Sequence, residues 1–359
     1  MLHYVIKRLF YGILVLWGVV TLVFLLFNIL PGDASRMLLG QRADISSVKA
    51  IRKDLGLDKP RYIQYLNFLN DLSPVSLHNA DNPKSYWYLN RDKYPSAHIL
   101  MHFGHNVLVL KLPYLRRSYQ SKRNVTAIIA EAFPKTLLLA AAAIVMAMFF
   151  GILLGIPAAL NKDSPYDRFM MVFSSLGMSV PSFFAAILIA WLFGFVWGKY
   201  TGLPMFGSLY SVDSYTGEVY LSLRNLILPA ITLGIRPLAI VISLTRSALL
   251  DELSKDYIRT AYAKGLSPAR VIFKHAMRNA MNPVLTAITG WFASLLAGAV
   301  FVEYVFDWKG IGLVIVDALE KYDLPVIMGV VLFIAVILII TNIFVDIIYA
   351  LLDPRVRLT

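Results

Sequence analysis

Six long apolar runs limit the possible folds of this chain more than any other feature of its sequence. They are Leu9–Leu30, Thr136–Leu160, Phe169–Trp197, Leu226–Leu250, Pro283–Phe306 and Pro325–Leu352. Each run is long enough to cross a bilayer as a helix, which takes about 20 mostly apolar residues. A helix satisfies its backbone hydrogen bonds within itself, as lipid requires. The runs therefore predict an all-α integral membrane protein with six transmembrane helices.

The composition supports a membrane protein and argues against other classes. Hydrophobic residues make up 58% of the chain and charged residues 16%. The net charge of +12 is spread over the loops rather than gathered in one patch, so we expect no nucleic-acid partner. The chain has no cysteine, which excludes disulfides and thiolate metal sites.

The positions of Lys and Arg predict the orientation of the runs. The short segments on one side, which include both termini, carry twelve basic residues, and those on the other side carry four. Cytoplasmic loops carry the excess of Lys and Arg, so we predict that both termini are cytoplasmic. We divide the chain into 1–32, the N-terminal end with the first helix, 33–133, an extracytoplasmic segment inserted after it, and 134–359, five further helices.

The extracytoplasmic segment is predicted to be partly ordered. Apolar spacing predicts helices over Ser46–Leu55 and Arg61–Leu69. Alternation predicts a strand over Asn106–Leu112, and the polar stretch Ser73–Pro95 is typical of a loop.

Three histidines in this segment invite a metal hypothesis. His98, His102 and His105 would share one face of a helix, but Gly104 interrupts them. No acid or cysteine is close by in the sequence, so we predict no metal site.

A long charged loop, Asp251–Pro283, separates the fourth and fifth runs on the predicted cytoplasmic side. As a helix, its first half has one apolar face made by Tyr257, Ile258, Ala261 and Tyr262. Gly265 breaks the pattern, and a basic stripe of Arg270, Lys274 and Arg278 follows. Such helices either lie on a membrane surface or dock into a partner's groove, and these residues favour neither alternative.

Ionisable residues within the runs are expensive in lipid and face a cavity or a partner. Arg236, beside Pro237 in the fourth run, either contacts a transported solute or, as is more common, pairs structurally. Arg246 and Asp346 are expected to form packing pairs near the inner ends of their runs. The candidate pathway residues are Arg236, Pro181 and Ser182.

The charged loop resembles a known motif. Arg259–Thr260–Ala261, then Gly265 four residues after Ala261, and the ending Arg278–Asn279–Ala280 are similar to the EAA loop of ABC importer permeases, in its dipeptide/oligopeptide/nickel form. Arg259 stands where the general motif has glutamate, so no role of that acid is carried over. Within the loop 251–282, the resemblance implies ATPase coupling through Tyr257, Ile258, Arg259, Thr260, Ala261, Gly265, Arg270, Lys274 and Arg278.

Other segments are similar to the same family in order and spacing over most of the chain. They include Leu30–Pro31–Gly32–Asp33, Ser179–Val180–Pro181–Ser182, Leu244–Thr245–Arg246, Glu303–Tyr304–Val305–Phe306 and Asp353–Pro354–Arg355. The stretch near Leu77–Leu112 is longer than the resemblance leads us to expect.

The resemblance implies a permease in the bacterial inner membrane that works with several partners. These are a second homologous permease chain, two cytoplasmic ATPase subunits, an extracytoplasmic substrate-binding protein and membrane lipid. The chain has no G-x-x-x-x-G-K-[ST] pattern, so we expect no enzyme activity and no cofactor in it.

The implied substrate is a dipeptide, an oligopeptide or a related small solute, with nickel or a metal chelate as the alternative. Two hypotheses from other classes are an ion-coupled secondary transporter and a non-transporting membrane scaffold. The first predicts inverted repeats and paired intramembrane acids, and the sequence contains neither.

Overall fold

Helices dominate the part of the chain that the computed structural model describes, residues 2–29, 58–83, 85, 87–213 and 216–352. In chain order they are α1 (Leu2–Ile29), α2 (Arg61–Leu72), α3 (Val125–Leu160), α4 (Pro165–Ser179), α5 (Ser182–Ile189), α6 (Gly198–Thr201), α7 (Arg224–Leu253), α8 (Asp256–Ala263), α9 (Pro268–Arg270), α10 (Met277–Gly298), α11 (Val300–Val305), α12 (Ile311–Glu320) and α13 (Leu324–Leu352). Two further segments, Ala190–Val196 and Val271–Ala276, are π-helical.

Four of the described helices are long and apolar enough to cross a membrane. They are Ile6–Leu26 within α1, all of α3 and α7, and Leu324–Ile347 within α13. They coincide with the first, second, fourth and sixth predicted runs. The count becomes five if the bent pair formed by α4 and the helix after it is one span.

The third predicted run is not one continuous helix, so that expectation was wrong. The helices on either side of its break, Pro165–Ser179 and Ser182–Val196, meet at 110°. Val180 is extended, with φ −71° and ψ 128°. The cause is Pro181, which lacks an N–H and disfavours helical geometry in the residue before it.

The fifth predicted run forms α10 and the short α11. Exposed polar side chains, including Asn282, Thr286 and Ser294, follow one side of α10. They lower the apolar content of α10, which is not among the four candidate spans.

One compact unit is built mainly from Glu131–Val316. Its core contains small residues that let helices approach closely, such as Ala140 and Ala143 of α3. Gly151 of α3 lies so close to Val241 of α7 that a Cβ atom would overlap that side chain. A short antiparallel hairpin of β4 (Tyr210–Val212) and β5 (Val219–Leu221) precedes α7.

The other unit contains Tyr11–Ala130 and Asp317–Ala335. In it, Phe24 of α1, Phe68 of α2 and Leu332 of α13 share a buried cluster. An antiparallel sheet follows α2, with β1 (Val75–Asn79), β2 (His98–Phe103) and β3 (Asn106–Leu110) in the order β1-β3-β2.

The helix and strands of this segment can be compared with those predicted from the sequence. The helix at Arg61–Leu69 and the strand at Asn106–Leu112 are confirmed, while Ser46–Leu55 lies outside the described residues. The loop predicted over Ser73–Pro95 was wrong in part because it contains β1. In β1 the inward residues are Ser76 and His78, so the usual apolar alternation is missing.

Candidate coupling and pathway sites

A buried carboxylate anchors the charged loop at both of its ends. Glu252, near the end of α7, accepts hydrogen bonds from the Lys255 ammonium and the Tyr257 hydroxyl. The amide of Asn279 in α10 lies 3.4 Å from the same carboxylate. Burial and the hydrogen bond to Glu252 raise the pKa of Tyr257, and the hydrogen bond to Glu252 also raises the pKa of Lys255. The three contacts fix α8 relative to α7 and α10.

The predicted apolar face of α8 is divided between the interior and the surface. Ile258 is 1% exposed and Ala261 is 7% exposed, and both pack in a cluster with Leu249, Val271 and other residues of this chain. Tyr257 and Tyr262 are exposed, as are Arg259 and Thr260. Half of the predicted apolar face is therefore covered by this chain itself, because the loop folds back over Ile258 and Ala261.

The break at Gly265 is confirmed. Gly265 has φ 75°, a left-handed conformation that glycine adopts without steric cost. Its N–H donates to the carbonyl of Tyr262 at 2.9 Å, and the N–H of Leu266 donates to that of Ala261 at 3.3 Å. These bonds end α8 and let the chain turn towards α9.

The basic residues after the break are all exposed, but they do not lie on one regular α-helix. Arg270 ends α9, Lys274 lies in the π-helical segment Val271–Ala276, and Arg278 lies in α10. The wider turn changes which side chains point outwards. Phe273, in the same π-helical segment, is 64% exposed.

The three candidate pathway residues lie on neighbouring elements, since α5 packs against α7. Arg236 is exposed, and no hydrogen bond or ion pair to it is found within the described residues. The structural pairing favoured from the sequence is thus not seen in this part of the chain. Pro181 is exposed and Ser182 is half-buried at the break before α5.

A groove of about 490 Å³ lies between α7 and α10. Leu244 of α7 lines it, together with Thr286, Gly290, Trp291 and Ser294 of α10. Its wall combines an apolar surface with hydroxyl groups and an indole. A solute with both polar and apolar parts fits this chemistry.

The expected packing pairs at Arg246 and Asp346 are confirmed. Arg246 forms a bidentate ion pair with Asp167 of α4, and its Nη2 donates to Oδ2 at 2.6 Å. Asp346 lies 2.9 Å from the guanidinium of Arg8. Bidentate guanidinium–carboxylate pairs fix the relative orientation of the two side chains and are strong, so α4 is held firmly on α7.

Glu303 provides a second buried carboxylate, whose structural role the sequence analysis did not predict. It is fully buried and accepts hydrogen bonds from the Thr136 hydroxyl at 2.7 Å and the Gly312 N–H at 2.6 Å. Trp308 donates its indole N–H to the carbonyl of Lys135 at 3.0 Å. The signal was the Gly310–Ile311–Gly312 sequence, because a Cβ at either glycine would overlap the Glu303 carboxylate.

Titratable groups also cluster beside the three-stranded sheet. Asp71 accepts hydrogen bonds from Lys93 at 2.7 Å and Tyr94 at 2.5 Å, and Lys111 donates to its carbonyl at 2.7 Å. Burial lowers the pKa of Lys111 to about 8, and burial with the nearby Lys111 charge lowers that of His78. These bonds tie α2 to the end of β3.

The histidines considered as metal ligands lie on and after a strand. His98 and His102 belong to β2, and His105 pairs with Asp81 at 2.8 Å. The described residues contain no group of three or more His, Asp or Glu side chains placed to hold a metal ion.

Comparison with known proteins identifies the class of protein. The family described as binding-protein-dependent transport system inner membrane component matches residues 151–358, and its N-terminal companion family matches residues 1–81. The chain belongs to this family of multi-pass inner membrane permeases of ABC importers. Such permeases are not catalytic, and ATP hydrolysis is the task of separate ATPase subunits.

Curated relatives match the chain from end to end. The di/tripeptide transport system permease protein DppB of Pseudomonas aeruginosa is 36% identical over 372 residues, covering 99% of each chain. The glutathione transport system permease protein GsiC is 34% identical in Salmonella typhimurium and 35% identical in Escherichia coli K12, again over 99% of each chain. A solved methionine ABC transporter covers 64% of the chain at 14% identity, with a TM-score of 0.47.

Proposed function

We propose that this permease imports di- and tripeptides or glutathione, itself a small peptide, with energy from ATP. The observation that carries the proposal is the similarity of the whole chain to permeases of those two substrate classes. The groove between α7 and α10 suits such solutes, because peptides present amides, carboxylates and apolar side chains together.

We propose six spans with both termini in the cytoplasm. The bent pair α4–α5 would be the third span, and α10 with α11 the fifth. The support is the distribution of basic residues, twelve against four, on the two predicted sides. In this topology residues 33–133 form an extracytoplasmic segment, and neither family model matches residues 82–150.

Permeases of this family work with ATPase and substrate-binding subunits. A second homologous permease chain would complete the pathway, two ATPase subunits would bind the loops 251–282, and a substrate-binding protein would deliver the solute from outside. The Glu252 contacts would transmit movement of α8 to α7 and α10.

Arg236, Pro181 and Ser182 are the proposed pathway residues. An exposed guanidinium within a span is costly unless it faces water or a binding partner. Arg236 would bind the substrate carboxylate, for which a guanidinium is well suited. The break at Pro181 frees backbone groups that can face the pathway.

Uptake by the complete complex tests the substrate class. The complex, purified from its native membrane and reconstituted with its binding protein, should accumulate labelled dialanine or glutathione when ATP is supplied. A non-hydrolysable ATP analogue should abolish uptake. ATP-driven transport of a different solute class, with neither peptide accepted or bound, would overturn the proposal.

A further inference from the structure

The short helix α2 lies beside the last turns of α1 and the first turns of α13. Phe68 of α2 packs with Phe24 of α1 and Met328 of α13 in one buried cluster. The hydroxyl groups of Tyr65 in α2 and Thr21 in α1 are hydrogen-bonded at 2.6 Å. These contacts attach α2 to two candidate membrane spans at once.

The ends of those two spans give the depth of α2. The candidate span in α1 ends at Leu26, two residues beyond Phe24, and the candidate span in α13 begins at Leu324, four residues before Met328. A helix rises 1.5 Å per residue, so the contacts lie about 3–6 Å inside the two span ends. Helices of a membrane interface lie about 5–10 Å into the boundary between headgroups and acyl chains. The packing therefore places α2 at the depth of the membrane interface.

Aromatic and apolar side chains cover another side of α2. We define the interfacial patch as Tyr62, Leu66, Leu77 and Trp87, which are 67%, 45%, 47% and 42% exposed. The first two are one helical turn apart on α2. The Asn70 amide donates to the carbonyl of Leu77 at 3.1 Å, and the Trp87 indole donates to Asn67 at 2.8 Å. These bonds join β1 and the turn after it to α2, so the patch forms one surface.

We propose that the interfacial patch lies in the membrane interface and binds phospholipid of the outer leaflet. Tyr and Trp are enriched at this level of membrane proteins, because their rings are apolar while their polar groups reach water or headgroups. Leu22 and Leu25 of α1, next to the residues that contact α2, are exposed as well, so lipid reaches this level of the unit. The inference goes beyond the proposed function and rests on it only for the choice of leaflet.

Two kinds of protein partner fit the patch less well than lipid does. A soluble substrate-binding protein docks from water and does not enter the interface to the depth of α2. Contacts between transmembrane helices are rich in small residues that allow close approach. The patch instead consists of two aromatic and two leucine side chains on a helix, a strand and a turn.

Fluorescence quenching at single cysteines tests the depth of the patch. Leu66→Cys carries a bimane label in the otherwise cysteine-free permease, which is assembled with its partner subunits in lipid nanodiscs. Asp92→Cys is the control, because Asp92 is an exposed charged residue of the same segment. The label at position 66 should be quenched by brominated phospholipid and be several-fold less accessible to iodide than the label at position 92. Strong iodide quenching at position 66, equal to that at position 92, would overturn the proposal.

Photo-crosslinking at Tyr62 identifies what covers the patch. A photoreactive phenylalanine analogue replaces Tyr62 in the complex, with and without the substrate-binding protein. The expected adducts are with phospholipid and do not change when the binding protein is added. Adducts with the binding protein or with the second permease chain would overturn the proposal in favour of a protein interface. Both measurements report depth and contact rather than transport, so their failure is distinguishable from a failure of peptide uptake.

Discussion

Individual residues of α8 show what a helical pattern reveals and what it leaves open. The spacing of Tyr257, Ile258, Ala261 and Tyr262 correctly predicted a helix with an apolar side. It did not reveal that Ile258 and Ala261 are covered by the same chain, because their neighbour Val271 comes from beyond the break at Gly265. That contact depends on a turn whose direction helical periodicity does not encode.

A matched pair of alanines in α8 tests this division. Ala261→Arg should lower the unfolding free energy by more than about 2 kcal/mol, because arginine must bury its charge or push α8 off its core. Ala263 is exposed on the same helix, so Ala263→Arg should change stability by less than about 0.5 kcal/mol. Thermal unfolding of the detergent-solubilised permease measures both. Equal melting temperatures would show that Ala261 is not buried.

At the scale of elements, length and apolar content predicted the long helices well. They failed where backbone chemistry outweighs hydropathy, as at Pro181, which turns one apolar run into two helices at 110°. They also failed for β1, whose buried residues Ser76 and His78 are polar. For Glu303, the nearby glycines signal a close contact, but the partner Thr136 is far away in the chain and could not be identified from the sequence.

The Glu303 contacts explain how α11 and α12 are held against α3. Glu303→Ala should leave the Thr136 hydroxyl and the N–H of Gly312 without their acceptor, at a cost of about 2–4 kcal/mol. The melting temperature and the yield of the assembled complex should both fall. Glu218 is exposed before β5, and Glu218→Ala should change neither. A Glu303→Ala protein as stable as the Glu218 control would refute the structural role.

For the whole molecule, hydropathy identifies the candidate spans, whereas charge predicts on which side of the membrane each connecting segment lies. Four described helices qualify as spans, and the bent pair α4–α5 is either a broken span or a re-entrant loop. The two alternatives place everything after α5 on opposite sides of the membrane. Only the charge bias of the short loops distinguishes them in the sequence, and it favours a broken span.

Labelling of single cysteines introduced into this cysteine-free chain distinguishes the two topologies. Ser121, Thr216, Ser254 and Ser267 are exposed positions in four different connecting segments or turns. With six spans, Ser121→Cys and Thr216→Cys should react with an impermeant maleimide in intact spheroplasts. Ser254→Cys and Ser267→Cys should react only after permeabilisation. If α4–α5 were re-entrant, the chain would return to the cytoplasm before α7. Thr216→Cys would then be protected from the impermeant maleimide, and Ser254→Cys would be accessible to it. Ser121→Cys would stay accessible in either case.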